Sequence, residues 1–221
     1  ITITNASTGT ATDIGTGSQA RYSQDSIAEF QFVSNRFDAT QGRSSGVQVN
    51  VITKSGTNTL SGLLRGNFRD DMFNAENPVL KRVVPFQNQQ VSTAVGGPLV
   101  KDRLHFFGNF EYERQPSTSI WNTPFPVFNI ELNGTQNIKM GGGRIDYQIS
   151  PSMRVMGKGS TGRYYQPFAA GAANNSPAAT NWTNERNNEW LGQFTQVLSN
   201  RMLNEVKGGY AYFILDPVSY T

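Results

Sequence analysis

The 221-residue sequence contains no cysteine and a single histidine, His105. The first absence excludes a disulfide scaffold, a thiolate zinc site and a cysteine nucleophile. The second excludes a His-rich metal site and obliges any triad enzyme to use that one imidazole. Charge is sparse: Asp, Glu, Lys and Arg make up 16% of the residues, against about 25% in soluble domains. The net charge is +3 and the basic residues are scattered, so no run marks a nucleic-acid patch. No apolar run approaches the roughly 18 residues of a transmembrane helix. Residues 1–12 show no basic and apolar pair of regions, so no signal peptide is expected there. Polar amides, Ser, Thr and 22 glycines take the place of charge, and aromatics reach 11%. That excludes the highly charged, aromatic-poor kind of disorder.

Helical periodicity is also missing, because Pro and Gly interrupt most windows long enough for a helix. What repeats is period-two alternation over about ten residues. In 203–214, Val206, Tyr210, Tyr212 and Ile214 share one face, opposite Glu205, Lys207, Gly209 and Ala211. In 104–113, Leu104, Phe106, Phe110 and Tyr112 oppose His105, Asn109, Glu111 and Glu113, with Phe107 breaking the polar side. In 143–149, Ile145, Tyr147 and Ile149 oppose Arg144, Asp146 and Gln148. Weaker alternation covers 60–69, 89–97, 154–165 and 188–198.

Seven strands result, and their connections alternate. Links at 98–103, 150–153 and 199–202 are short; links at 70–88, 115–136 and 166–187 are long and rich in Asn, Pro, Gly or Ala. Bilayer-length strands with alternately long and short links are the pattern of an outer-membrane β-barrel, short turns periplasmic and long loops outside. A soluble antiparallel sandwich shares the two-faced strands, but twenty-residue loops on one side only are unusual in a compact domain. Residues 1–56 differ. After a Thr/Gly/Ser-rich start come two short strands, 27–34 and 47–53, and a turn-rich link near Gly56.

The stretches Asp25-Ser-Ile-Ala-Glu-Phe-Gln-Phe-Val33, Asn35-Arg-Phe-Asp38, Gly42-Arg-Ser-Ser-Gly46 and Val49-Asn-Val-Ile-Thr-Lys-Ser-Gly-Thr57 resemble the end of the plug domain of TonB-dependent outer-membrane receptors, in the Oar-like branch. Residues 96–111 resemble that branch's second and third barrel strands with their tight turn. Gln41 stands where the family has an aromatic residue. The resemblance implies an all-β chain, with 1–56 the end of a plug and 57–221 the first seven antiparallel strands of a plugged barrel. It implies a plug signature at Gly42, Gly46, Asn50, Thr53 and Lys54. It further implies a place in the bacterial outer membrane, a TonB-type periplasmic partner, and uptake of a large nutrient or surface adhesion. The family's barrels have about 22 strands, so the chain resembles an internal fragment. No cofactor or nucleic acid is expected; contact with outer-membrane lipid and self-association through open strand edges are.

Other residues have chemical alternatives. Gly42-Arg43-Ser44-Ser45-Gly46 fits the nucleophile-elbow spacing of hydrolases, and Ser44, Asp70 or Asp71, and His105 occur in triad order. The strand-to-helix context that pattern requires is missing. Glu111 and Glu113 share a strand face and would be carboxylate neighbours, as glycosidase chemistry needs; a polar barrel lumen or a solvated sheet face explains them better. Asp70, Asp71, Asn74, Glu76 and Asn77 gather oxygen ligands in one loop, without EF-hand spacing, so no metal is expected. Trp121, Phe168 and Trp182 are candidate ligand contacts in the long loops. A stand-alone soluble hydrolase or carbohydrate-binding module is the alternative to the receptor.

Overall fold

The computed structural model describes residues 2–4, 23–34, 47–78, 81–84, 86–121, 124–168 and 181–219. Two sheets result. In the smaller, β1 (Thr2–Thr4), β3 (Val47–Thr53) and β2 (Ile27–Ser34) pair antiparallel in that order. The larger is a seven-stranded meander. It comprises β4 (Ser61–Asp70), β5 (Gln87–Val100), β6 (Leu104–Trp121), β7 (Ile130–Ser150), β8 (Met153–Gln166), β9 (Asn181–Ser199) and β10 (Met202–Ser219). Each strand pairs only with its sequence neighbours, and β4 and β10 are the edges.

The alternation seen in the sequence sets the two faces. His105 opposes Asp146 and Glu111 opposes Met140 across β6 and β7, which fixes all the odd residues of β6 from 105 to 113 on one face. That inner face also carries Arg65, Ser92, Lys158, Glu185 and Asn187. The outer face carries Leu64, Phe68, Val91, Phe110, Ile145, Trp190 and Tyr210, all exposed. A soluble sandwich would bury the second set. The reverse occurs: among the described residues the buried hydrophobic ones are Ala94, Trp121 and Tyr164, outnumbered by buried polar ones, including Ser92, Glu111, Asp146 and Asn187. Leu64 is 77% exposed and Trp190 61%. An apolar outer face and a polar inner one suit a barrel wall in lipid, and the soluble-sandwich alternative fails on this point.

The long links are shorter than expected. They run over 71–86, 122–129 and 167–180 instead of 70–88, 115–136 and 166–187. The pairing of β6 with β7 continues from Arg114 opposite Asn137 to Trp121 opposite Ile130. That of β9 with β10 runs on to Asn181 opposite Ser219. These extensions lie beyond the apolar band, where no lipid demands an apolar face, so the backbone ladder, with side-chain bonds such as Thr118 Oγ1 to Asn133 Oδ1 at 2.8 Å, holds them and the period-two signal is lost. Trp121 and Trp182 are therefore strand residues, which corrects their placement in loops. Proline obeys the edge rule. β5 accompanies β6 only to Arg114, so Pro116 sits where β6 has become an edge, and Pro217 lies on edge strand β10.

Candidate functional site: the contact of residues 23–58 with the inner face

Register brings Arg65, Ser92 and Glu111 into one row across β4, β5 and β6. Onto this row sits the short 3-10 turn Gln24–Ser26 that precedes β2. Asp25 Oδ2 lies 3.2 Å from Arg65 Nη2 and accepts a hydrogen bond from Ser92 Oγ at 2.5 Å. Asp25, Ser92 and Glu111 are all buried. Behind them, Glu111 Oε1 accepts from Gln90 Nε2 at 2.8 Å. The turn is tied to the end of the small sheet, because Lys54 N–H donates to the Ser26 carbonyl at 2.8 Å. The contact is polar and incompletely satisfied: Ser23 Oγ, Arg65 Nε and Glu111 Oε2 are buried with no partner among the described residues. Each such group costs about 1–3 kcal/mol.

The link out of β3 then runs close along the wall. A Cβ on Gly56 would stand 2.2 Å from the Phe106 carbonyl oxygen and 2.9 Å from that of Gly97. Only glycine fits that approach. Two residues on, Asn58 fastens the link to the short turn 101–103. Its Oδ1 accepts from Asp102 N–H at 2.8 Å and lies 2.7 Å from His105 Nε2, and its Nδ2 donates to Asp102 Oδ1 at 2.5 Å. Asp102 has a φ of 63°, a left-handed conformation that Asp tolerates and that this clamp holds.

Three of the five residues that the resemblance implies as a plug signature lie among the described residues. Thr53 and Lys54 line the small cleft between the link and the inner face with Phe107, Asn109 and Lys158. Asn50 is in β3, opposite Thr2 and Gln31. Gly42, Gly46 and Ser44 lie outside the described residues.

Of the alternative sites, the Ser44 triad lies partly outside the described residues, and the described candidates make structural bonds. His105 and Glu111 are six residues apart on β6, about 20 Å, and His105 engages Asn58. Glu111 and Glu113 do share the inner face, as expected, but each binds an amide of β5, Gln90 and Asn88 respectively. Asp146 is held by Arg144 at 2.7 Å and Arg154 at 2.5 Å. No three His, Asp or Glu converge on a metal position among the described residues. The loop oxygens have structural work instead. Asp70 caps the turn Asp71–Phe73 by accepting from Met72 N–H at 3.0 Å, and Asn74 accepts from Arg69. That Met72 N–H, with Asp71 second, holds the Asp70 carboxyl below its ordinary 3.8. The cap therefore contributes above pH 3.8 and is lost as pH falls through the lowered value. Proteolysis of the full-length protein at 71–73 is expected to accelerate on acidification below pH 3.8, and to be insensitive to pH in Asp70→Ser. Phe168, at φ 53°, packs with Pro167 over Gly134 of β7. Trp182 lies 6.3 Å from Tyr165, ring centre to ring centre, on the outer face.

The Asp25–Arg65 pair was not visible in the sequence, since forty residues and no periodicity separate its members. Nor was the Asn58 clamp, which looks like an ordinary turn residue.

Residues 52–129, from the end of β3 through β6, match the family described as "Outer membrane beta barrel domain". No curated protein and no solved structure matches the chain. The matched segment contains the Gly56 link, the Asn58 clamp and the Arg65–Ser92–Glu111 row. Taken with the polar inner face and apolar outer face of the seven-stranded sheet, the match places this chain in the outer membrane as part of a β-barrel.

Proposed function

We propose that the chain is part of a TonB-dependent receptor that takes up a large nutrient. In this reading residues 1–56 are the end of a plug and 57–221 the first strands of its barrel. The observation that carries it is the seating of Asp25 on Arg65 and Ser92 of the inner wall. A permanent structural core would be apolar. This seat is polar and leaves buried groups unpaired, as suits a contact that must break when a TonB-type periplasmic partner pulls on the plug. Resemblance of residues 25–57 and 96–111 to the plug end and early barrel strands of these receptors supports it. The edges at β4 and β10 require closure in lipid, and further strands of a longer receptor supply it in this scheme. The role is transport, with no catalytic step.

The full-length protein in a planar bilayer tests this. The intact protein is expected to be closed, and deletion of residues 1–56 to open a large steady conductance. An unchanged conductance after deletion would sink the plug assignment. In cells, crosslinked intact protein should recover a TonB-type partner; recovery of none would remove the energy-coupling part.

A further inference from the structure

The inner face changes character at the Arg65–Ser92–Glu111 row. On the short-turn side it is charged, with Arg144, Asp146, Arg154, Lys158 and Glu189 facing inward by register. On the long-loop side amides replace charge. Asn67, Asn88, Gln90, Gln115, Gln136 and Gln166 share the inward parity of Glu113 on five adjacent strands. Among the described residues, only Arg69, Glu113 and Glu185 bring charge to that side of the inner face. At the same height Arg114, Lys139, Arg163 and Arg186 have outward parity. Cations are therefore tolerated at this level of the wall and are kept off its inner side. Height alone does not account for the amides.

The amides are also held in place. Asn67 Nδ2 donates to Gln90 Oε1 at 2.9 Å, Gln90 Nε2 to Glu111 Oε1 at 2.8 Å, and Asn88 Nδ2 to Glu113 Oε1 at 2.8 Å. The Tyr164 hydroxyl donates to Gln166 Oε1. Gln115 and Gln136 stand directly opposite each other across β6 and β7. A primary amide carries two N–H donors and a carbonyl with two lone pairs. One bond orients it and leaves positions for a ligand. None of the six amide residues is buried. From β4 to β8 the arc spans about 19 Å, room for several linked units.

We propose that the large nutrient of the transport reading is a neutral oligosaccharide and that this amide arc binds it. The chemistry of the lining selects that class. Sugar hydroxyls donate and accept at once, and amides answer both without the desolvation cost of a charge. An anionic ligand would meet Glu113 and Glu185 with only Arg69 to offset them. An apolar ligand would leave covered amides unpaired. An extended peptide is held by pockets for its alternate side chains, which a run of amides does not offer. The cargo rests on the transport reading; the site rests on the register.

Calorimetric titration of the full-length protein in detergent tests it. The probes are maltohexaose, cellohexaose, xylohexaose and mannohexaose, with hexagalacturonate and a neutral hexapeptide of serine and glycine as competitors of other chemistry. At least one neutral hexasaccharide should bind, and hexagalacturonate and the peptide roughly tenfold or more weakly. Gln115→Leu/Gln136→Leu/Gln166→Leu should weaken the bound saccharide about 100-fold, and the milder Gln115→Ala/Gln136→Ala about tenfold. Arg163→Gln/Arg186→Gln, at the same height on the outer face, should leave it unchanged. Heat-modifiable gel mobility confirms that each variant is a folded barrel. Binding of no neutral hexasaccharide, tighter binding of hexagalacturonate or the peptide, or wild-type affinity in both glutamine variants overturns the proposal. A barrel that opens on deletion of residues 1–56 yet binds no saccharide fails this proposal alone, and one that binds saccharide yet stays closed fails the transport reading alone.

Discussion

Gly56→Val is expected to be the most damaging single substitution in the described chain, and Gly157→Val close to harmless. Both glycines belong to the same wall-and-link system, and composition gives no reason to rank them. Geometry does. At Gly56 a side chain would run into the Phe106 and Gly97 carbonyl oxygens, atoms of two paired strands that cannot rotate away. The link must lift, and with it go the Asn58 bonds to Asp102 and His105 and the Lys54 tie to the Ser26 carbonyl. Overpacking by a methyl or two costs about 1–3 kcal/mol where side chains can adjust; against fixed backbone it reaches the upper end or beyond. At Gly157 an added Cβ enters open space, and Val suits a strand. Outer-membrane yield and heat-modifiable mobility of the full-length protein check both. Gly56→Val should lose most of the folded band and Gly157→Val should match the wild type. A fully folded Gly56→Val would mean that the link does not run along the wall.

The contrast shows what the sequence made legible. All seven barrel strands announced themselves, because each must present apolar residues to lipid at every second position, and that demand writes a period into the chain. The pairs Leu104/Phe106 and Ile145/Tyr147 are enough to fix a face. The same demand ends at the edge of the apolar band. Beyond Arg114 the sequence Gln-Pro-Ser-Thr-Ser-Ile-Trp has no such alternation, yet it pairs with residues 130–136 to the last residue. A polar segment of this kind is held chiefly by its backbone ladder, and its side chains carry no period-two record of it. The plug-end assignment of residues 1–56 rests on resemblance alone. The seat itself was not legible, because Asp25 meets Arg65 through tertiary docking, to which no local pattern corresponds.

Asp25→Ala is expected to loosen the seat, and Arg65→Met to loosen it more. Removing one partner of a buried ion pair costs about 3–5 kcal/mol. Arg65 is 37% exposed, so solvent screening reduces the effect for this pair to about 1–2 kcal/mol, or roughly a tenfold rise in unseating. The two variants are not equivalent. Asp25→Ala leaves the Arg65 guanidinium, which is partly exposed, able to turn to solvent. Arg65→Met leaves the buried Asp25 carboxylate with the Ser92 hydroxyl but no cation. Asp25→Asn should fall between the wild type and Asp25→Ala, since its amide oxygen can still accept from Ser92. Glu111→Gln should be nearly neutral, as its Oε1 keeps the Gln90 bond and an unpartnered anionic oxygen is removed. Opening frequency of the full-length protein in a planar bilayer gives the order directly: Arg65→Met, Asp25→Ala, Asp25→Asn, then Glu111→Gln with the wild type. A double-mutant cycle on Asp25 and Arg65 should return a coupling of about 1–2 kcal/mol. A coupling near zero, with all variants closed, would show that Asp25 rests on the wall without holding anything to it, and the seat would have to be sought elsewhere along residues 23–56.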